Sequence, residues 1–130
     1  MTKYASNLKF SPTDSNKAAA AQFGPAYAKQ MMDQIRAAGK RLHELSGQPT
    51  ATPEEILGAV LAWRAALPAI TGIEHDLIGS AVLGGAAVTT TASKLTVRPQ
   101  TLAAWLAKTV AQYRGRELYF DTDKNEWKAY

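Results

Sequence analysis

Pro99 constrains this chain more than any other residue. Proline lacks a backbone N–H and pushes the residue before it away from helical angles, so it ends a helix arriving from upstream and suits the first turn of a new one. Upstream, Thr91, Ala92 and Leu95 lie three or four residues apart and share a helix face. Thr96, Val97 and Arg98 interrupt that helix. Downstream, Leu102, Trp105, Leu106, Thr109, Val110 and Tyr113 form one broad apolar face. The stretch from Thr89 to Ala111 therefore reads as two helices joined by a tight turn. The second occupies 99–112, and Arg98, Gln100 and Thr101 begin its opposite side.

This pattern resembles the helix-turn-helix of DNA-binding regulators. The resemblance covers about twenty residues and rests on Ala92, small where the helices approach, on Leu95 and Val97 flanking the turn, and on Leu102 and Trp105 anchoring the second helix. The family usually carries glycine at the turn, where this chain has Thr96. Downstream, Leu118 and Phe120 alternate, a polar DTDKN segment follows, and Trp127 and Ala129 alternate again, which predicts a hairpin over 117–129. A helix-turn-helix followed at once by such a ribbon resembles a winged helix domain. The fold expectation is mainly α: a winged helix-turn-helix with a C-terminal β-hairpin and a long N-terminal helical extension.

Charge is distributed to match. Residues 1–50 hold seven Lys and Arg against three acids, 51–85 one against four, and 86–130 seven against four, leaving +4, −3 and +3. Between Asp76 and Glu117 there is no acid, while Lys94, Arg98, Lys108, Arg114 and Arg116 fall in that interval. Such a segment attracts a phosphate backbone; a solvated basic helix face is the plainer reading.

The rest of the chain predicts supporting helices. Residues 1–13 read as a flexible arm. Asp14 or Ser15 is placed to cap a helix through Ala18–Ala21 that Gly24 and Pro25 interrupt. From Pro25 to Ser46, Ala28, Met31, Ile35, Ala38, Leu42 and Leu45 follow a heptad spacing, fitting a homodimer seam through helix 25–46 or an intramolecular face. Gly47 suits the C-terminal cap. Gln48–Ala51 is the boundary candidate, giving 1–50 as arm plus extension and 51–130 as the winged domain. Thr52, Pro53 and Glu55 make a capping box, and the helix they start reads as ending at Pro68. Another helix spans Ile70–Leu83 before Gly84 and Gly85, then a short strand or loop at Ala86–Val88, with Thr89 or Thr90 capping the next.

No catalytic constellation stands out, and the chain reads as neither an enzyme nor a cofactor binder. His43 and His75 lack partners at metal-ligand spacing, and Asp121, Asp123 and Glu126 lack the glycine and terminal glutamate of a calcium loop. Without cysteine, a disulfide framework is excluded. No apolar run of about 20 residues is apparent, which reads as a cytoplasmic, nucleoid-associated protein. The resemblance implies sequence-specific binding of double-stranded DNA by a dimeric bacterial, plasmid or phage regulator acting in transcription, partition, transfer or packaging. It places Arg98 and Gln100 against base edges, Thr101 on a phosphate or a thymine methyl, and Thr89, Thr90, Ser93, Lys94 and Lys108 near the backbone. Arg114, Arg116, Lys124 and Asn125 serve the wing. Trp105 and Trp127 read as core. A protein-interaction module on the same scaffold, without DNA contact, is the alternative.

Overall fold

The computed structural model describes residues 6–130. The protein is mainly helical with one small antiparallel hairpin. In chain order come a 3-10 turn at Ser6–Lys9, α1 (Asp14–Ser46), α2 (Pro53–Leu83), α3 (Val88–Leu95), α4 (Pro99–Leu106), a second 3-10 turn at Val110–Tyr113, β1 (Leu118–Asp121) and β2 (Glu126–Ala129). The described residues form two compact units: 6–26 with 75–130, and 27–74. The units thus divide within the two long helices rather than at residue 51.

The two long helices correct the sequence expectation. Pro25 and Pro68 do not end helices; α1 and α2 run through them. A proline inside a helix removes one hydrogen bond and crowds the carbonyl four residues back, at a cost of about 3 kcal/mol. Both prolines, and Ala21 and Arg64 four residues before them, are exposed. Water can therefore serve the freed carbonyls, and packing on the other side holds each helix together. Continuity also gives α2 an 18-residue window of mean hydropathy 1.6 that is only 11% buried, a longer apolar stretch than a break at Pro68 allows.

The unit 27–74 is a helical hairpin of the later part of α1 and the earlier part of α2. The turn is built as the sequence implies. Thr52 N–H donates to Glu55 Oε1 at 3.1 Å, and Glu55 N–H donates to Thr52 Oγ1 at 3.2 Å, the reciprocal capping box. The bonds from Thr52 hold the Glu55 carboxyl below its ordinary range. Gly47 N–H closes α1 on Glu44 O at 3.2 Å. Along the heptad seam Ala38 is buried, Met31, Ile35 and Leu45 are half-buried, and Ala28 and Leu42 are exposed. Much of this seam is covered within one chain.

In the other unit, residues 6–13 are tied down rather than loose, while residues 1–5 of the expected arm lie outside the described residues. Leu8 is buried with Val82, Val88, Ala92, Leu102, Leu106 and Ala111, and Asn7 Nδ2 donates to Ala111 O at 3.0 Å. The cap of α1 is Thr13, not Asp14 or Ser15. Thr13 N–H donates to Asn16 Oδ1 and Asn16 N–H to Thr13 Oγ1, both at 3.0 Å. Asn16, fully buried, also accepts from Gly115 N–H at 2.8 Å and donates to Arg116 O at 2.8 Å and Tyr113 O at 3.3 Å. One amide thus uses both its oxygen and its nitrogen to pin the start of α1 to the segment before β1.

The hairpin pairs Leu118 with Ala129 and Phe120 with Trp127, so those four share a face. Leu118 is buried against Ala19 and Leu83, with Ala20, Phe23, Val110, Tyr113, Trp127 and Ala129 around them. Leu118 N–H donates to Ser15 Oγ at 2.9 Å, and Trp127 Nε1–H to Gln22 Oε1 at 3.0 Å. The ribbon leans on the start of α1 rather than on α3 and α4.

Candidate nucleic-acid interface

The turn between α3 and α4 is where the sequence departs from the resemblance, and the backbone shows how Thr96 is accommodated. Thr96 takes φ 59° and ψ 41°, the left-handed region. Its N–H donates to Ser93 O at 3.2 Å, and Val97 N–H donates to Ala92 O at 3.0 Å, the paired bonds of a Schellman cap. A β-branched residue there carries strain of about 1–2 kcal/mol, and the cap holds it. Arg98 then adopts extended angles, and Pro99 opens α4. Leu102 and Leu106 are fully buried, and Ala92 of α3 lies against the same core. Leu95 instead is 40% exposed, so α3 turns only Val88, Ala92 and part of Thr91 inward.

α4 is shorter than the expected 99–112. It ends at Leu106, and after a turn Thr109 starts the 3-10 turn. Thr109 Oγ1 donates to Leu106 O at 2.8 Å and accepts from Ala111 N–H at 3.2 Å, all buried. A hydroxyl that bonds backbone on both sides competes with helix continuation, which explains the break. Thr109 also packs directly on Gly79 of α2, where an added Cβ would collide with its side chain. Trp105 is half-buried and stacks on His75, with ring centroids 4.3 Å apart and planes 15° apart. Beside it, burial raises the Asp76 carboxyl above its ordinary range, and the charge of His75 pulls it back.

With the apolar face accounted for, the polar side chains point outward. Thr89, Thr90, Ser93 and Lys94 on α3, Arg98, Gln100 and Thr101 at the start of α4, and Lys108 after it are all exposed. The N-cap of α3 is Ala87, with no side-chain cap bond, and Val88 begins the helix without an intervening strand. Thr89 and Thr90 therefore have no capping duty. Among the described residues, Lys94, Arg98 and Lys108 make no ion pair, whereas those found join Arg36 to Asp33 and Lys128 to Asp121 and Glu126.

The expected hairpin residues part company. Lys124 and Asn125 are exposed in the turn between the strands, and Asn125 has φ 55°. Asp121 Oδ1 accepts from Asp123 N–H at 3.0 Å and Lys124 N–H at 3.1 Å, while Lys128 Nζ reaches Asp121 Oδ2 at 2.9 Å. Those bonds hold the Asp121 carboxyl below its ordinary range and Lys128 above its own. Arg116 is exposed and donates to Tyr130 O at 2.8 Å.

Arg114 is buried, not a wing contact. Its Nε donates to Phe10 O at 2.8 Å, and its Nη1 to Ala86 O at 2.7 Å and Val82 O at 3.2 Å. Burial lowers its pKa from the ordinary guanidinium value. Three carbonyls from three segments occupy a fork that charge counting assigns to a phosphate. Sequence reasoning missed Asn16 and Gly79, and placed Thr109 on the inward face without its capping role; all three hold the platform, and only the Thr13-to-Asn16 spacing carried a signal.

Among the described residues, no group of three or more His, Asp or Glu is placed to hold a metal ion. No protein-family model, curated protein or solved structure matches this chain.

Proposed function

We propose that this protein binds double-stranded DNA sequence-specifically through α3 and α4. The single observation that carries the proposal is the division of labour at the start of α4. Leu102 and Leu106 are sealed in the core, while Arg98, Gln100 and Thr101 stand in solvent ahead of them. A guanidinium bridges the two acceptors on a guanine edge and an amide pairs with adenine, so these are the side chains a major groove can be read with. Lys94 and Lys108, with Thr89, Thr90 and Ser93, hold phosphates on either side. In this reading the unit is a winged helix-turn-helix whose hairpin tip, Lys124 and Asn125, meets the backbone. The protein acts as a dimeric regulator in the cytoplasm.

Titration of a fluorescent duplex at several salt concentrations tests this. Affinity falls steeply with salt, and Lys94→Ala weakens binding uniformly across sequences while reducing the salt slope by about one. Absence of binding even at low salt refutes the reading and leaves a protein-interaction scaffold, which the small side chains of Ala103 and Ala104 along α4 would suit.

A further inference from the structure

The earlier half of α2 is apolar on both sides, and one chain covers only one of them. On the inner side Ala59 is 1% and Ile70 8% exposed, and Gly58 lies against the Arg41 guanidinium. On the outer side Leu57 is 58% and Leu61 57% exposed, and Val60, Leu67 and Ile56, also exposed, continue the apolar surface round the flank toward Ile70. A helix that is hydrophobic all round belongs in a core or under a cover. The five outer side chains leave a contiguous patch on the order of 400 Å², at the upper end for a lone soluble chain.

The charges flanking that patch say what covers it. At 100° per residue, Glu54, Leu57, Leu61 and Arg64 form one stripe, with Pro53 and Pro68 in line beyond them. The spacing from Glu54 to Leu57 equals that from Leu61 to Arg64, so the stripe reads the same backwards with its charges exchanged. Two copies packed antiparallel about a two-fold axis level with Ala59 set Leu57 against the partner's Leu61 and Glu54 against the partner's Arg64, each twice. Both charged groups are exposed and, among the described residues, unpaired. Parallel packing would oppose like charges. A bilayer would have to take Arg64, near the middle of α2, into hydrocarbon at about 2.5–3.5 kcal/mol.

We propose that the Ile56–Leu67 face of α2 is a homodimer interface in which two copies of this chain pack antiparallel about that axis. Such an interface is isologous, the commonest kind in soluble oligomers. The stems of Glu54 and Arg64 and the rings of Pro53 and Pro68 enlarge the face, which stays below the roughly 800 Å² per partner of a standard interface and so fits a dimer whose population depends on concentration. The proposal stands independently of DNA binding, and none of its test variants touches α3 or α4.

Sedimentation velocity of the full chain from 1 to 200 μM, the range over which self-association is to be read, tests it. The wild type is a dimer. Leu61→Glu is a monomer with unchanged helical circular dichroism, and Leu57→Gln weakens association in the same way. Glu54→Arg and Arg64→Glu each weaken association about tenfold or more, and the double exchange restores it to within about threefold, because the pairs reform with reversed sign. A monomeric wild type overturns the proposal. So does a dimer indifferent to Leu61→Glu, or a double exchange no better than either single one. Cosedimentation of monomer with phosphatidylcholine–phosphatidylglycerol vesicles overturns it in favour of a lipid surface.

Discussion

Replacing Arg114 by methionine separates a structural cation from a DNA-reading one. The side chains have similar length, so the change removes the donors while keeping most of the packing. Three carbonyls lose a partner unequally. Phe10 O loses a 2.8 Å bond at a partly buried place, while Val82 O keeps a 3.1 Å bond from Gly85 N–H. Ala86 O, at 2.7 Å from Nη1, loses its donor in a partly buried place. A hydrogen bond to a charged group contributes about 1.5–3 kcal/mol net, and a cation on the last turn of a helix, here Val82 in α2, adds about 0.3–1. Relief from burying the guanidinium offsets part of this, leaving a loss of about 2–3 kcal/mol. In urea unfolding followed by circular dichroism, the midpoint falls by about 1–2 M at an ordinary slope. DNA affinity, measured well below the unfolding temperature, stays at the wild-type value. A loss under about 1 kcal/mol, or weakened DNA binding at undiminished stability, refutes the structural assignment.

Three other positions give distinct readouts. Thr96→Gly relieves the left-handed strain of about 1–2 kcal/mol but makes the unfolded chain freer by about 0.4–1, so thermal unfolding shifts upward by a few degrees; a fall would show that Thr96 is not strained. Gly79→Ala gains about 1 kcal/mol of helix propensity but drives a methyl into Thr109, costing about 1–3, so chemical denaturation shows net destabilisation; a more stable variant contradicts the packing. Asp121 has a depressed folded-state pKa, so its contribution to the hairpin is complete above the ordinary aspartate value and is lost as pH falls through the folded one. The amide resonances of Asp123 and Lys124 should follow that acid transition, and Asp121→Asn should abolish it. Persistence of the same transition in the variant would assign it to another group.

Local chemistry was legible in the sequence where one residue type leaves few options. Pro99 starts α4, Thr52 with Glu55 caps α2, and the DTDKN segment forms the turn between β1 and β2. Pro25 and Pro68 misled because their effect depends on whether the freed carbonyl meets water, which a one-dimensional pattern does not reveal. The 99–112 periodicity was genuine, yet Thr109 stops the helix by bonding Leu106 O and Ala111 N–H, a competition invisible to hydrophobic spacing. Of the basic residues in the acid-free stretch, Arg114 alone is buried, because its partners are backbone carbonyls distant in sequence. The hairpin was readable as a hairpin but not in its docking, since Ser15, Ala19 and Gln22 lie about a hundred positions before it.

Base reading by α4 is tested most directly by selection of bound fragments from a random duplex pool, run in parallel with the wild type, Arg98→Ala and Gln100→Ala. One enriched sequence is expected for the wild type, with relaxed preference at a single base pair for each variant and a loss of about 1–3 kcal/mol on the selected site. Enrichment unchanged by both substitutions, or no enrichment by the wild type, contradicts base reading by α4.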